Sequence, residues 1–152
     1  MSTIQNPPFA RNYANELLQI DHGRGVELWD TGGKRYLDLG AGIAVNALGY
    51  GRRDLARIAS RQMRRLIHIS NLYATAPSVE LANLLIERTR PVNEFAAVQF
   101  GNSGAEATEA ALKYARLYAR ARRGPGHHKI LALDNGFHGR TMGALSATPT
   151  RK

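Results

Sequence analysis

Ser103, Gly104 and Ala105 stand where an apolar run gives way to a long helical pattern. The preceding residues 95–100 suit a short buried strand, and the glycines at 101 and 104 permit a tight turn. A helix that begins here leaves backbone N–H groups unpaired at the positive end of its dipole. With the Ser103 hydroxyl, these groups predict an anion site, and we expect the anion to be the phosphate of a cofactor.

Spacing alone also fits a purely structural interpretation of the same residues. Ser103 and Glu106 have the separation of a capping box, in which each side chain accepts a hydrogen bond from the other residue's backbone N–H. A carboxylate at position 106 would repel a phosphate unless it pointed away or bonded to backbone. Spacing by itself favours the capping box, so the phosphate hypothesis depends on further observations.

Hydrophobic period and turn residues predict the elements before this stretch. Residues 26–30 and 35–39 suit two strands that form a hairpin around the turn at 31–34. The apolar residues of 54–69 fall on one face of a helix. Another helix is predicted to open at Pro77 and to end before Pro91.

The helix that starts after Ser103 is expected to run to about Arg123, where the glycines and proline of 124–126 stop it. Residues 129–133 form the next apolar run and suit a second strand. Strand, long helix and strand make a βαβ unit with a parallel pair and a right-handed crossover. The pattern therefore predicts an α/β fold.

Composition excludes several classes of protein. The 152 residues, with 43% hydrophobic and 22% charged residues, are typical of a soluble globular chain. Cysteine is absent, and His127 and His128 lack a third ligand at a useful spacing, so we expect no metal. No apolar run approaches the roughly 20 residues that cross a bilayer, and the amino terminus lacks the features of a secretory signal. We expect a cytoplasmic protein without membrane contact.

The formal net charge of +9 is compatible with nucleic-acid binding. The basic residues are spread along the chain, however, and no motif that reads DNA or RNA accompanies them. We therefore expect small molecules, and no nucleic acid, as partners.

Three segments, in this order and spacing, resemble class III (subgroup II) pyridoxal-phosphate aminotransferases of the acetylornithine and ornithine branch. The segments are Gly25-Val-Glu-Leu-Trp-Asp30 with the following residues 36–46, Gly101-Asn-Ser-Gly-Ala-Glu106 with the helix to 116, and Asn135-Gly-Phe-His-Gly-Arg140 with residues 141–146. The resemblance runs from about residue 13 to residue 152. It implies the incomplete amino-terminal part of fold type I of the pyridoxal-phosphate transferases. Residues 1–50 would form a hairpin segment of the small domain, and residues 51–152 the first, truncated part of the large cofactor-binding domain with its mainly parallel sheet.

The resemblance assigns a cofactor, pyridoxal 5′-phosphate, and the residues that contact it. Ser103, Gly104 and Ala105 would hold its phosphate, and Phe137 would stack on its ring with His138 beside it. Without the resemblance, Phe137 is as readily a core aromatic. His138 is expected to be structural and to have no acid–base role.

The resemblance also assigns substrate contacts. Arg140 would bind the α-carboxylate of an amino-acid substrate through its bidentate guanidinium. Tyr13 aligns with a tyrosine that contacts substrate. Both residues also fit an ordinary surface position. One departure from the family lies nearby, since Thr108 stands where an asparagine is usual.

The implied reaction transfers the terminal amino group of N-acetylornithine to 2-oxoglutarate in arginine biosynthesis, in an enzyme that is a homodimer when complete. Ornithine, succinylornithine and 4-aminobutyrate enzymes are alternatives in the same family. The Schiff-base lysine is the main departure, because none of the lysines stands in the family's catalytic context; they are Lys34, Lys113, Lys129 and Lys152. We therefore predict no catalytic residue in this chain and no turnover by it alone, and a non-catalytic truncated remnant is a further alternative.

Overall fold

A computed structural model describes residues 3–10, 16–92 and 94–149. The chain divides into two compact units, Met1–Tyr73 and Ala74–Lys152. The boundary predicted at residue 50 lies inside the first unit. The assignment of the two predicted parts to a small and a large domain stays a prediction.

The first unit contains two small antiparallel sheets. One sheet pairs β1 with β2, and the other has the strand order β3-β4-β5. The strands are β1 (Thr3–Gln5), β2 (Glu16–Leu18), β3 (Ile20–Arg24), β4 (Glu27–Asp30) and β5 (Arg35–Leu37). The predicted hairpin is confirmed in β4 and β5, where Leu28 lies opposite Tyr36.

The turn of this hairpin is organised by the carboxylate of Asp30, which is only 3% exposed. It accepts hydrogen bonds from the backbone N–H of Gly32 at 2.9 Å, the N–H of Lys34 at 2.8 Å and the Tyr36 hydroxyl at 3.0 Å. Gly33 has φ of +81°, which glycine adopts without steric cost. A local Asp-turn therefore fixes the register of the two strands.

Two helices complete the first unit, α1 (Ala41–Ala44) and α2 (Arg53–Arg65). The first is a single short turn in which residues 41–44 have positive φ. The second was predicted to reach residue 69, but it ends at Arg65 because Leu66 is extended, with φ −167° and ψ 122°.

The second unit is built from α3 (Ala76–Thr89), α4 (Gly104–Arg123) and α5 (Met142–Ser146). Helix α3 begins with a capping box between Thr75 and Ser78, and Pro77 lies in its first turn, as predicted. Helix α4 begins and ends where the sequence places it, and Gly124 follows it with φ of +82°. Local capping residues therefore set the bounds of both long helices.

The two strands predicted to flank α4 are not formed. Neither residues 95–100 nor residues 129–133 belong to a strand, and no parallel pairing occurs among the residues that the structure describes. A strand needs the N–H and C=O groups of a neighbour, and within these ranges none is supplied. Leu131, one of the apolar residues on which the strand prediction was based, is 99% exposed, so the predicted burial of this run is not found.

Buried apolar side chains in the described ranges are confined to Ala110 on α4 and Ala144 on α5, where these two helices pack together. Within the same ranges, no helix combines the length and the apolar character that crossing a bilayer demands. No group of three or more metal-ligating side chains occurs among these residues either. Among the described residues of the second unit, buried apolar side chains therefore mark the junction of α4 with α5.

Candidate functional site

The first turn of α4 is capped at one position and open at the next two. Ser103 is extended, and its Oγ accepts the backbone N–H of Glu106 at 3.2 Å. The Ala107 N–H donates to the Ser103 carbonyl at 3.1 Å. Within the described residues, the N–H groups of Gly104 and Ala105 have no protein acceptor. Two donors at the positive helix end are thus left for a ligand.

The Glu106 carboxylate does not complete the expected capping box. It accepts a hydrogen bond from the backbone N–H of Asn102, whereas a capping box would use the backbone N–H of Ser103. The carboxylate is therefore bound to backbone just before the helix, which is the arrangement that a phosphate at Gly104 and Ala105 requires.

The segment 136–141 carries an aromatic ring and a guanidinium toward this helix start. Phe137 is 67% exposed, and the guanidinium carbon of Arg140 lies 5.6 Å from its ring centroid, a cation–π contact. The backbone N–H of His138 donates to Thr148 Oγ1 at 3.0 Å, and that hydroxyl donates to the Ala144 carbonyl at 2.9 Å. The His138 backbone is therefore held by a structural contact.

Gly139 brings the segment into direct contact with α4. A Cβ built on Gly139 would lie 2.7 Å from the Ala105 Cβ and 3.1 Å from the Ala144 Cβ. The residue is buried and has φ of +126°. Only glycine meets both conditions, so Gly139 sets the closest approach of the segment to the helix start.

Glu109 lies one helical turn after Ala105 on α4. Its carboxylate accepts hydrogen bonds from the end of the segment 136–141 and from the start of α5. One of its oxygens accepts the Thr141 hydroxyl at 2.6 Å, the Gly143 N–H at 2.9 Å and the Ala144 N–H at 3.1 Å. The Thr141 hydrogen bond, followed by the Ala144 amide, lowers the pKa of Glu109, and the charge of Lys113 contributes in the same direction. The ionised carboxylate thus caps the start of α5.

Between the two elements lies an open cavity of about 450 Å³. Its lining comes from both sides and consists of Gly104, Ala105, Thr108, Phe137, His138, Gly139 and Arg140. Thr108 Oγ1 donates to the Gly104 carbonyl at 3.0 Å, so this hydroxyl is used within the helix. The cavity therefore presents free amides on one wall and an aromatic ring with a cation on the other.

Most of the residues predicted from sequence meet at this cavity. Gly104, Ala105, Phe137, His138 and Arg140 line it. Ser103 is not one of the lining residues; it directly precedes Gly104, and its hydroxyl accepts the helix-cap hydrogen bond from the Glu106 N–H. Tyr13 lies outside the described residues.

Two contributors were not assigned a role in the site from the sequence. Thr108 had been noted only as a departure from the family, and it lines the cavity. Glu109 was missed because its partner Thr141 is 32 residues away, and no local pattern connects them.

A second cavity, of about 220 Å³, lies at the opposite end of α4. Arg116, Arg120, His127 and His128 line it together with residues 124–126. Basic side chains complement the negative end of a helix dipole, so this cluster has a structural explanation.

The sequence profile of the family described as aminotransferase class-III matches residues 8–152. The chain belongs to the class-III aminotransferases. These are pyridoxal-phosphate-dependent enzymes, which confirms the family predicted from the three sequence segments.

Curated relatives at 42–47% identity are named acetylornithine aminotransferases. The protein of that name from Bifidobacterium longum is 46% identical over 142 residues, which is 90% of this chain and 33% of the relative. The chain therefore spans about a third of the length of the curated relatives it matches.

Solved structures of transaminases share the fold. An (S)-enantioselective omega-transaminase from Thermomicrobium roseum superposes with a TM-score of 0.81 at 41% identity, over 87% of this chain and 30% of the other. The omega transaminase from Pseudomonas jessenii in complex with PMP has a TM-score of 0.81 at 32% identity, over 88% and 29%. The chain is thus a partial α/β segment of the transaminase fold, as predicted, although the parallel pair is not formed within the described residues.

The cavity fits the cofactor of this family. A Cβ built on Gly104 meets nothing within 4 Å, so the backbone there faces open space. The small residues at 104 and 105 leave the two free N–H groups accessible to a phosphate. The Phe137 ring, on the opposite wall, offers an exposed face for a planar ligand.

Proposed function

We propose that this chain is the amino-terminal, phosphate-binding part of an acetylornithine-type aminotransferase that uses pyridoxal 5′-phosphate. The complete enzyme would transfer the terminal amino group of N-acetylornithine to 2-oxoglutarate in arginine biosynthesis. We further propose that the complete enzyme is a cytoplasmic homodimer.

The observation that carries the proposal is the composition of one cavity. The free amides of Gly104 and Ala105 and the exposed ring of Phe137 face the same space, although more than 30 residues separate them in sequence. A phosphate ester attached to a planar ring is a ligand that uses both walls at once. The family membership makes pyridoxal phosphate the specific candidate.

Each residue then has a defined task. The N–H groups of Gly104 and Ala105 donate to the phosphate, and the helix dipole favours its negative charge. Phe137 supports one face of the ring. When bound, the cofactor supplies the electron sink that amino-group transfer requires.

Arg140 is proposed to bind the α-carboxylate of the amino-acid substrate. Its guanidinium lies at the cavity wall above Phe137, where a carboxylate next to the ring would meet it. A guanidinium binds a carboxylate through two parallel hydrogen bonds, which fixes the orientation of the substrate.

N-acetylornithine is preferred as amino donor because the relatives at 42–47% identity carry that name. Ornithine, succinylornithine or 4-aminobutyrate enzymes would use the same phosphate and ring contacts. The structural likeness to omega-transaminases at 32–41% identity is what keeps a different amine donor as the second candidate.

The cavity contains no lysine among its described lining residues. The family's covalent link to the cofactor needs one, and the chain covers only a third of its relatives. We therefore propose that this polypeptide binds the cofactor without turnover. A non-catalytic remnant that also fails to bind the cofactor is the opposite outcome of the following test.

Pyridoxamine 5′-phosphate is the suitable probe, because its binding needs no lysine. We expect calorimetric titration of the 152-residue chain to give tighter binding of pyridoxamine 5′-phosphate than of pyridoxamine, by about tenfold or more for a phosphate held by two amides. Equal or absent binding of the two compounds would overturn the proposal.

The ring wall is tested by a matched pair of variants. Phe137→Ala should weaken pyridoxamine 5′-phosphate about tenfold, since stacking of a planar ring on an aromatic contributes roughly 1–3 kcal/mol. Phe9 is 68% exposed, nearly the same as Phe137, but lies in the other unit. Phe9→Ala should leave the affinity unchanged.

The donor is tested with reduced phosphopyridoxyl adducts of N-acetylornithine, ornithine and 4-aminobutyrate. The N-acetylornithine adduct should bind most tightly, and Arg140→Gln should remove its advantage over pyridoxamine 5′-phosphate. Tightest binding of another adduct would reassign the substrate while leaving the cofactor site intact.

A further inference from the structure

We propose that Glu109 is the positioning residue of the cofactor cavity, because its carboxylate fixes the segment that carries Phe137 and Arg140 at a set distance from the start of α4. This inference rests on the proposed function. Glu109 itself is not one of the residues that line the cavity. Its effect would pass through Thr141 and the first residues of α5.

The three hydrogen bonds to Glu109 come from the last residue of the segment 136–141 and from the first turn of α5. Thr141 Oγ1, Gly143 N and Ala144 N all donate to the same oxygen, at 2.6–3.1 Å. Two of these donors are amides at the start of α5, which no helical carbonyl can satisfy. The carboxylate therefore satisfies unpaired donors and joins α4 to α5 in a single contact.

The contact also places the Glu109 carboxylate directly against the backbone of Gly143. A Cβ built on Gly143 would collide with both carboxylate oxygens, so a side chain there would displace the carboxylate from its three donors. Four residues earlier, a Cβ built on Gly139 would lie 2.7 Å from the Ala105 Cβ. This part of the chain therefore contacts α4 at two points, Gly139 and Gly143. Arg140 lies between these two glycines in sequence, and Phe137 lies two residues before the first.

The consequence is a cavity of fixed width. Gly139 limits how near the segment can come to α4, and Glu109 prevents it from moving away. Without Glu109, the amides of Gly104 and Ala105 would remain in place, but the opposite wall would lose its tether. A ligand that contacts both walls should then bind more weakly. An anion that contacts only the amides should keep its affinity.

That difference separates positioning from general support of the fold. In Glu109→Ala, we expect pyridoxamine 5′-phosphate to bind about tenfold more weakly, the loss typical when a supporting partner behind a contact residue is removed. Inorganic phosphate should bind within about twofold of the unaltered chain, since it needs only the helix start. A purely structural role would weaken both ligands by the same factor.

Thr141 supplies a second test that leaves Glu109 in place. Thr141→Val removes the shortest of the three hydrogen bonds and should show the same selective loss, to a smaller extent. Thr141→Ser keeps the hydroxyl and should restore the affinity. Glu87→Gln removes one exposed carboxylate from α3, in the same unit, and serves as the charge control.

The outcomes distinguish the two proposals. If the unaltered chain does not prefer pyridoxamine 5′-phosphate over pyridoxamine, the proposed function fails and the inference fails with it. If the chain shows that preference but Glu109→Ala and Thr141→Val keep the affinity for pyridoxamine 5′-phosphate, or weaken pyridoxamine 5′-phosphate and inorganic phosphate by the same factor, only the positioning role of Glu109 is overturned.

Discussion

Gly139 and Ala105 are in direct backbone-to-helix contact, so close that a Cβ on the glycine would lie 3.0 Å from the Ala105 Cα and 2.7 Å from its Cβ. One residue supplies a free amide to the candidate phosphate site, and the other follows the candidate ring wall by two positions. Their contact brings the motif at the start of α4 and the motif around Phe137 together, so that both line one cavity.

Substitution of this glycine should therefore cost more than backbone strain alone. Gly139→Ala combines φ of +126° with a collision against Ala105, whereas Gly126 has φ of +91° and nothing within 4 Å of its Cβ position. We expect Gly139→Ala to lower the free energy of unfolding by about 1–3 kcal/mol more than Gly126→Ala, the usual cost of overpacking. Urea denaturation measures both variants, and equal losses would show that the contact is not tight.

Ser103 should matter mainly as a helix cap. Its hydroxyl is bonded to the Glu106 N–H. Ser103→Ala is expected to lower the free energy of unfolding by about 1 kcal/mol, and Ser103→Gly by only a few tenths. The thermal midpoints of the two variants provide the comparison. A much larger loss of pyridoxamine 5′-phosphate affinity than of stability in Ser103→Ala would instead assign the hydroxyl directly to the phosphate.

Glu106 places a negative charge in the same first turn as the proposed phosphate site. Glu106→Gln should tighten the binding of pyridoxamine 5′-phosphate by about two- to threefold, because one repulsive charge is removed at the helix start. The same change should slightly destabilise the helix, since the Asn102 N–H loses its charged acceptor. Titration at low ionic strength is the measurement, and weaker binding would show that Glu106 helps to shape the site.

Stability should depend on pH through Glu109. Its pKa in the folded chain lies below the ordinary value of 4.5, chiefly because Thr141 donates to the carboxylate, followed by the Ala144 amide. A carboxylate with a lowered folded pKa stabilises the fold above its unfolded pKa, and that contribution disappears as the pH falls through the folded value. The difference in unfolding free energy between the unaltered chain and Glu109→Gln should be constant above about pH 5 and shrink below it.

Urea titrations between about pH 3 and pH 7 would measure this difference. Lys113 is the charged neighbour that contributes to the low pKa of Glu109, so the series should be repeated at high salt, where its influence is screened. A difference that stays constant down to about pH 3 would contradict the assigned hydrogen bonds.

The helices could be predicted from sequence because their determinants are local. The Ser103 cap and the Gly124 stop of α4 lie next to the helix, and the structure reproduces those bounds. The Asp30 turn and its hairpin are local in the same sense. These features need no information from distant residues.

The two strands predicted beside α4, which are not formed in the described residues, depend on distant partners and could not be predicted from local sequence. A strand in a sheet exists through the hydrogen bonds of its neighbours, and residues 95–100 and 129–133 have no strand partner in the described part of the chain. The candidate site was found only in part for a related reason. The motif residues Gly104, Phe137 and Arg140 were identified from the sequence, whereas Glu109 became visible only through a contact that spans 32 residues.

The most direct test of the central claim is an amide chemical-shift titration of the isotope-labelled chain with pyridoxamine 5′-phosphate. We predict that the N–H signals of Gly104 and Ala105 shift most, in a saturable manner, and that resonances of the Phe137 ring shift with the same midpoint. Pyridoxamine, which lacks the phosphate, should leave the two amides unchanged. Saturation without movement of those amides, or equal shifts with both compounds, would contradict a phosphate site at the start of α4.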